Sequence, residues 1–215
     1  MNVSKILIPP KFKYFHKKNR KMSIKILDVG CANNSPAITK HWFPNSTYHG
    51  VDKYFNETQD QFIDNAIKID LENDNLKEHV RDNYDIIILS HVIEHLENGK
   101  EIIDYFCGKL NSPGHIYIEF PSKRSLELPS AIGTLNFYDD PTHKKMYYVD
   151  EIKEILLKND ISVIKYGSRR DLKRIIFTSI PSMIINLFRI IRGKKIIAKG
   201  LWDLLGFADF VYGER

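Results

Sequence analysis

Ile26-Leu27-Asp28-Val29-Gly30-Cys31-Ala32-Asn33 is the stretch on which the reading of this chain turns. A short apolar run of buried-strand type enters a tight turn, with an acid two places before the glycine. Gly30 has no Cβ, so its backbone can take a positive φ and approach a ligand closely. Asn33 and Asn34 tolerate left-handed geometry better than most residues, and Pro36 suits the first turn of a following helix. Strand, turn and helix in that order set a binding crevice beyond the carboxyl end of the strand, as in open α/β sheets. Asp28 either orients the turn or pairs with a ligand ammonium.

Similar apolar runs at 48–51, 66–69, 85–90 and 115–120 read as strands covered on both faces. Helix-compatible stretches lie between them at 36–41, 76–80 and 99–110. The last carries Ile102, Ile103, Phe106 and Leu110 as a one-sided stripe. Strands alternating with helices predict βαβ units, a parallel sheet and right-handed crossovers. Residues 121–142, with three prolines and Gly133, read as a long irregular loop. A loop of that length is usually functional, here either a cover over an acceptor or an ordered surface wall. A helix at 148–159 follows, with Asp150 as its expected N-cap, then strands at 161–166 and 207–212. The expected fold is α/β, a doubly wound seven-stranded sheet in one domain over 1–215. Its parts are a basic segment 1–23, a core 24–167, a helical insertion 168–206 and a last strand from 207.

The net charge of +5 conceals two basic ends around an acidic middle. Residues 1–25 hold eight Lys or Arg and no acid, and residues 169–199 hold nine against one acid. Such patches attract phosphate, anionic lipid or nucleic acid, or are simply solvated. The run 172–191 is strongly apolar, but only 14 residues separate Arg174 from Arg189 and Pro181 interrupts them. It reads first as a helix packed on the body; the alternatives are a peripheral membrane contact through 172–192 and a homodimer contact. A short helix over 196–205 is expected after it. The two cysteines, Cys31 and Cys107, form no Cys-x-x-Cys pair or zinc spacing, so a cytoplasmic location is expected.

His91, Glu94 and His95 are spaced i, i+3 and i+4, which sets them on one face of a helical turn after the fourth strand. His143 stands at the end of the long loop. A neutral imidazole here can take a proton from a hydroxyl. Alternatively Glu94, His95 and His143, with or without His91, can hold a divalent ion that lowers the hydroxyl pKa. The plainer reading is local helix-cap packing. His16, His41, His49, His79 and His115 lack useful partners by spacing and are read as structural. Asp52 closes the second strand, where a carboxylate can accept both hydrogen bonds of a ribose diol.

From about residue 24 to 120 the ordered motifs resemble those of the class I S-adenosylmethionine-dependent methyltransferases. Asp28-Val29-Gly30 matches the first motif, with Ala32 and Asn34 in the places of its other glycines. Lys68-Ile69-Asp70-Leu71 is similar to the segment that caps the adenine. Tyr84-Asp85-Ile86-Ile87-Ile88-Leu89-Ser90-His91-Val92-Ile93-Glu94-His95-Leu96 resembles the fourth motif of the Glu-His branch, and Asn111-Ser112-Pro113-Gly114 the turn before the fifth strand. The resemblance implies S-adenosylmethionine as cofactor, held by Asp28, Gly30, Cys31, Ala32, Asn33, Asp52, Lys53, Asp70 and Leu71, with Ser90 and His91 near its methionine or methyl end. It implies catalysis by His95 and His143 with His91 and Glu94. The arrangement looks like that of metal-assisted relatives, which carry Glu in place of His91, so a divalent metal is left open.

Asn136-Phe137-Tyr138-Asp139-Asp140-Pro141-Thr142-His143, Leu201-Trp202-Asp203 and Gly206-Phe207-Ala208-Asp209-Phe210 resemble bacterial methyltransferases of surface-polysaccharide gene clusters. That implies O-methylation of a small-molecule or glycan-type anionic acceptor. An RNA 2′-O-methyltransferase and a non-catalytic cofactor-binding protein are the alternatives, with nucleic acid the less expected partner. A nicotinamide dehydrogenase would need two further glycines after Gly30.

Overall fold

Lys25–Val29 forms β1, near the middle of a seven-stranded sheet, in a computed structural model that describes residues 6–32, 34–55 and 61–215. The other strands are β2 (Thr47–Asp52), β3 (Asn65–Lys68), β4 (Tyr84–Ser90), β5 (Leu110–Pro121), β6 (Ser162–Ser168) and β7 (Ala208–Glu214). Their order is β3-β2-β1-β4-β5-β7-β6, parallel through the first five, with β7 antiparallel to both neighbours. The order reverses between β1 and β4, so the crevice beyond their carboxyl ends is the place where such a sheet binds ligands.

Alternation along each strand divides the core into two layers. Leu27, Val29, Ile87, Leu89, Ile116 and Ile118 face one side, under Ile102, Ile103 and Phe106 of α3 (Gly99–Cys107) and Ile152 and Leu156 of α4 (Val149–Lys158). Ile26, Ile86, Ile88, Tyr117 and Tyr48 face the other. That second face is covered by Phe43, just past α1 (Ser35–Trp42), and by the N-terminal segment. Phe12 and Phe15 are fully buried, with their rings 5.1 and 5.8 Å from that of Phe43. The segment expected as a basic extension is therefore part of the core from residue 8 on. Its lysines and arginines obscured two phenylalanines that close a whole face. Short helix α2 (Leu76–His79) lies between β3 and β4.

Three local expectations need correction. The N-cap of α4 is Tyr148, not Asp150, and its amide donates to the Glu151 carboxylate at 3.0 Å. The helix expected at 196–205 shrinks to α6 (Trp202–Leu205), α5 being Leu172–Ile191. Ile197 cannot join α6, because the Asn186 side chain holds both its amide (2.7 Å) and its carbonyl (2.9 Å). And α5 does not pack its apolar side inward. Only Ser179 and Asn186 are buried along residues 175–191, while Leu172, Phe177, Ile184, Phe188 and Ile191 are exposed. A π-helical turn over Ile175–Ser179 precedes Pro181, whose ring and missing N–H disturb the regular ladder at that point.

Removing a fully buried aromatic ring typically costs about 3–5 kcal/mol. Phe15→Ala should destabilise the protein on that scale in urea or thermal melts. A change below about 1 kcal/mol would show that the N-terminal segment does not belong to the cooperative unit.

Candidate active site at the strand tips

The turn after β1 is closed by β2. The Gly30 and Cys31 amides both donate to the Val51 carbonyl, at 2.7 and 3.2 Å, and the Ala32 amide donates to Asp52 Oδ2 at 2.9 Å. The other Asp52 oxygen accepts from the Tyr54 amide at 3.1 Å. Gly30 sits at φ +67°, and a Cβ there would come within 2.3 Å of Val92 Cγ2. Glycine is thus required twice, by conformation and by space. Asp52 locks the turn and keeps lone pairs for further donors. Beside it, Lys53 reaches Asp70 Oδ2 at 2.7 Å. Hydrogen bonds from Lys53, Asn73 and the Glu72 amide hold the Asp70 carboxyl down at about 2. The ionised Asp70 therefore stands beside Asp52 at the tips of adjacent strands, and Leu71 next to them packs on the core. Asn33 lies outside the described residues.

Asp28 and Cys31 belong to the layer beneath. Asp28 accepts from Lys11 Nζ at 2.9 Å, from Tyr48 Oη at 3.0 Å and from Ser35 Oγ. Its ammonium partner is already supplied by the chain, so the role left to it is orienting the turn. The Cys31 thiol is buried, and burial followed by the charges of Asp28 and Asp52 pushes its pKa up to about 12. Such a thiol is inert, and Cys31 contributes its backbone.

Ser90 ends β4 beside Glu119 of β5. His91 follows at φ +57°, a left-handed conformation that costs a residue with a Cβ about 1–2 kcal/mol. What holds it there is a pair of carboxylates. Its Nδ1 lies 3.0 Å from Glu94 Oε1 and its Nε2 lies 3.0 Å from Glu119 Oε1. Burial alone would lower the imidazole pKa, but hydrogen bonds to Glu119 and Glu94 outweigh it and raise it to about 9. With an acceptor at each nitrogen the ring is an imidazolium at neutral pH. It has no lone pair to receive a proton, so the reading of His91 as a base gives way to one of fixed positive charge.

Glu119 continues the chain of charges. It accepts from Arg169 Nη1 at 2.8 Å and from Tyr117 Oη at 2.5 Å, and Arg169 Nη2 reaches Asp203 at 3.3 Å. Burial disfavours the charged carboxylate of Glu119, but Arg169 and His91 more than compensate and hold its pKa well below the usual range. Trp202 and Phe207 pack on the His91 ring, with centroids 4.9 and 6.0 Å away. Glu119, Arg169, Asp203 and Trp202 were not singled out from the sequence as site residues. One signal was there: Glu119 is the sole acid in the apolar run 115–120.

His95 and His143 meet through the long loop. The amides of Lys144 and Lys145 donate to the Glu94 carbonyl at 2.8 and 3.2 Å, bringing the two imidazole centroids to 4.8 Å. His143 Nδ1 lies 2.7 Å from the Phe137 carbonyl, which can only accept, so Nδ1 carries the proton and Nε2 the lone pair. Thr142 Oγ1 donates to Asp140 at 2.6 Å and lies 2.9 Å from His95 Nδ1, which fixes the same tautomer for His95. Glu94 Oε1 is taken by His91, while its Oε2 is buried with no hydrogen-bond partner. Ligand atoms of Glu94, His95 and His143 lie within 4.8 Å of one another. An orphaned carboxylate oxygen and two oriented imidazole lone pairs are a donor set that fits a divalent cation. The loop carrying His143 is not a free cover. Asp139 Oδ2 accepts from the amides of Ala131, Leu135 and Asn136 at 3.1, 3.0 and 2.8 Å. Leu128 and Leu135 are buried with Phe207.

Breaking a buried ion pair by removing one member typically costs about 3–5 kcal/mol. Arg169→Met should do so at pH 7, read from urea melts. The Glu119 pKa is depressed in the native state, so its contribution is present above the unfolded carboxyl value of about 4.3 and lost as pH falls below it. The penalty in the variant should therefore shrink on acidification through pH 4. A gap that stays constant with pH would show that Arg169 acts by packing alone.

A family described as a methyltransferase domain matches residues 7–166. No curated protein sequence matches the chain. Among solved structures, a SAM-dependent methyltransferase from Archaeoglobus fulgidus is 21% identical with a TM-score of 0.60, over 98% of this chain and 94% of that one. A plantazolicin methyltransferase in complex with SAH is 17% identical with a TM-score of 0.58, over 99% and 84%. A Burkholderia thailandensis N1-methyltransferase with bound didemethyltoxoflavin and S-adenosylhomocysteine is 9% identical with a TM-score of 0.56, over 96% and 76%. With a family match across most of its length and this sheet order beneath its strand-tip site, the chain belongs to the methyltransferase-domain family and has the fold of the class I SAM-dependent enzymes.

Proposed function

We propose that the chain transfers the methyl group of S-adenosylmethionine to a hydroxyl of an anionic small-molecule or surface-glycan precursor. The observation that carries this reading is the cluster of Glu94, His95 and His143, reached by a loop and a strand end that converge on the rim beyond the sheet. Asp52 at the tip of β2 has the chemistry to accept from a ribose diol, and Asp70 and Leu71 stand beside it for the adenine. The imidazolium of His91, clamped by two carboxylates, fixes the backbone at the end of β4, where the methionine part of the donor would lie.

Methyl transfer forms a bond from the acceptor oxygen to the methyl carbon as the carbon–sulfonium bond breaks, and the hydroxyl proton must leave. His143 and His95 each present Nε2 as a lone-pair nitrogen, which suits them to receive it. A divalent ion held by Glu94, His95 and His143 would lower the pKa of that hydroxyl. The tethers to Phe137 and Thr142 orient the two rings for either task, and most of the remaining acceleration comes from positioning donor and acceptor in line. An oxygen acceptor is favoured because the site offers bases and no amide-type motif for a nitrogen acceptor. The basic segments support a substrate with negative charge.

Titration calorimetry with S-adenosylmethionine should show one binding site, and His143→Ala should leave that affinity within about twofold. In a screen of sugars and nucleotide conjugates with methyl-labelled donor, His143→Ala should lower kcat by at least about a hundredfold, the scale of general base catalysis. Near-wild-type turnover removes His143 from the mechanism. No donor binding at millimolar concentration overturns the reading as a whole.

A further inference from the structure

Helix α5 is built inside out. Its polar positions Ser179, Ser182 and Asn186, spaced three and four apart, face the body of the protein. There they bond the backbone of the segment that follows, through the carbonyls of Gly200, Lys199 and Ile197. Arg189 Nε extends the same row to the Lys195 carbonyl at 2.7 Å. Leu172, Ile176, Ile180, Ile184, Leu187 and Ile191 repeat at the same spacing on the other side, and they face outward. Phe177, Met183, Phe188 and Ile190 widen this apolar face, and Leu172, Phe177 and Ile191 are 70%, 66% and 71% exposed. A helix of a water-soluble domain normally turns its apolar stripe to the core. Here the hydrogen-bonded polar row prevents it from rolling over.

An apolar helical face of about 30 Å, from 20 residues at about 1.5 Å each, needs an apolar neighbour. The charge around it identifies which. Exposed Lys173 flanks one end, and exposed Arg192, Lys194, Lys195 and Lys199 flank the other, with Asp171 the sole acid of residues 169–199. That acid is already neutralised by Lys13 at 3.0 Å. A second copy docked by a twofold axis would set this cationic rim against itself. An anionic lipid surface matches both features, taking the apolar face below the headgroups and the cations among them. The row of polar contacts runs along the helix on the domain side, so α5 lies against the body and does not cross the bilayer as a free span.

We propose that α5 is a membrane-surface anchor that docks the enzyme on anionic lipid, with its axis in the plane of the interface. The site is close behind it. The segment following α5 leads into Trp202, whose ring packs on His91 and whose Nε1 donates to the Thr134 carbonyl of the site loop at 2.6 Å. Docking through α5 therefore holds the acceptor rim near the headgroup layer, where a lipid-linked acceptor would present its polar part. This inference concerns α5 and stands independently of the acceptor proposed above.

Flotation of the full-length protein with vesicles of phosphatidylcholine containing 30% phosphatidylglycerol, against vesicles of phosphatidylcholine alone, tests it without any reading of methyl transfer. The expected result is binding to the anionic vesicles at least about tenfold stronger than to neutral ones, weakened but not abolished by 0.5 M salt. The double variant Ile184→Glu, Phe188→Glu should lose at least tenfold in that binding. Both side chains are exposed, so its melting temperature should stay at or above that of the parent. Absence of binding to anionic vesicles overturns the proposal. So does a stable dimer by light scattering that the double variant converts to monomer, because the face is then covered by a second copy.

Discussion

A single line of buried charge ties the candidate site together: Glu94, His91, Glu119, Arg169 and Asp203, with the Arg174 guanidinium close enough to influence the last of these. Three carboxylates face an imidazolium and two guanidinium groups, so the cluster can be neutral as a whole while none of its members would be stable there alone. Taking an ion out of water costs several kcal/mol, and the pairing must return most of it. The geometry this imposes is specific. His91 accepts a left-handed backbone because both of its nitrogens have carboxylates to reach, and Glu94 is left with one oxygen bound and one bare. The orientation of that bare oxygen toward the two histidines follows from a requirement for charge balance further inside.

The same line couples parts that the chain supplies far apart. The turn after β4 gives His91 and Glu94, β5 gives Glu119, the start of the insertion gives Arg169, and α6 gives Asp203. Trp202 and Phe207 pack against the imidazolium and cover part of it. The insertion is therefore more than a decoration on the edge of the sheet: it furnishes part of the counter-charge that keeps the end of β4 in place. Whatever α5 rests against is mechanically one step from the site.

Most of the sheet was legible in the sequence, because inner strands buried on both faces must be written as apolar runs; all seven expected strands are present, the largely exposed edge strands β3 and β6 among them. The i, i+3, i+4 grouping of His91, Glu94 and His95 was legible for the same reason, being local. The charge line was not, since its links span 28, 50 and 34 residues, and Arg169 and Asp203 each read as ordinary surface on their own. Nor was the sense of α5. Periodicity shows which residues of a helix share a side, but which side meets the protein depends on partners, here the carbonyls of 197–200. Phe12 and Phe15 were hidden by the basic residues around them.

Asp139 has an effect reaching past its immediate hydrogen bonds. One of its oxygens gathers three amides and so fastens the wall that carries His143 before any acceptor arrives. An acceptor then meets a surface whose shape is already set, and none of its affinity is consumed in ordering the chain around it. Discrimination among candidate molecules falls to complementarity with a rigid rim, so near-isosteres that miss its contours should be refused at entry.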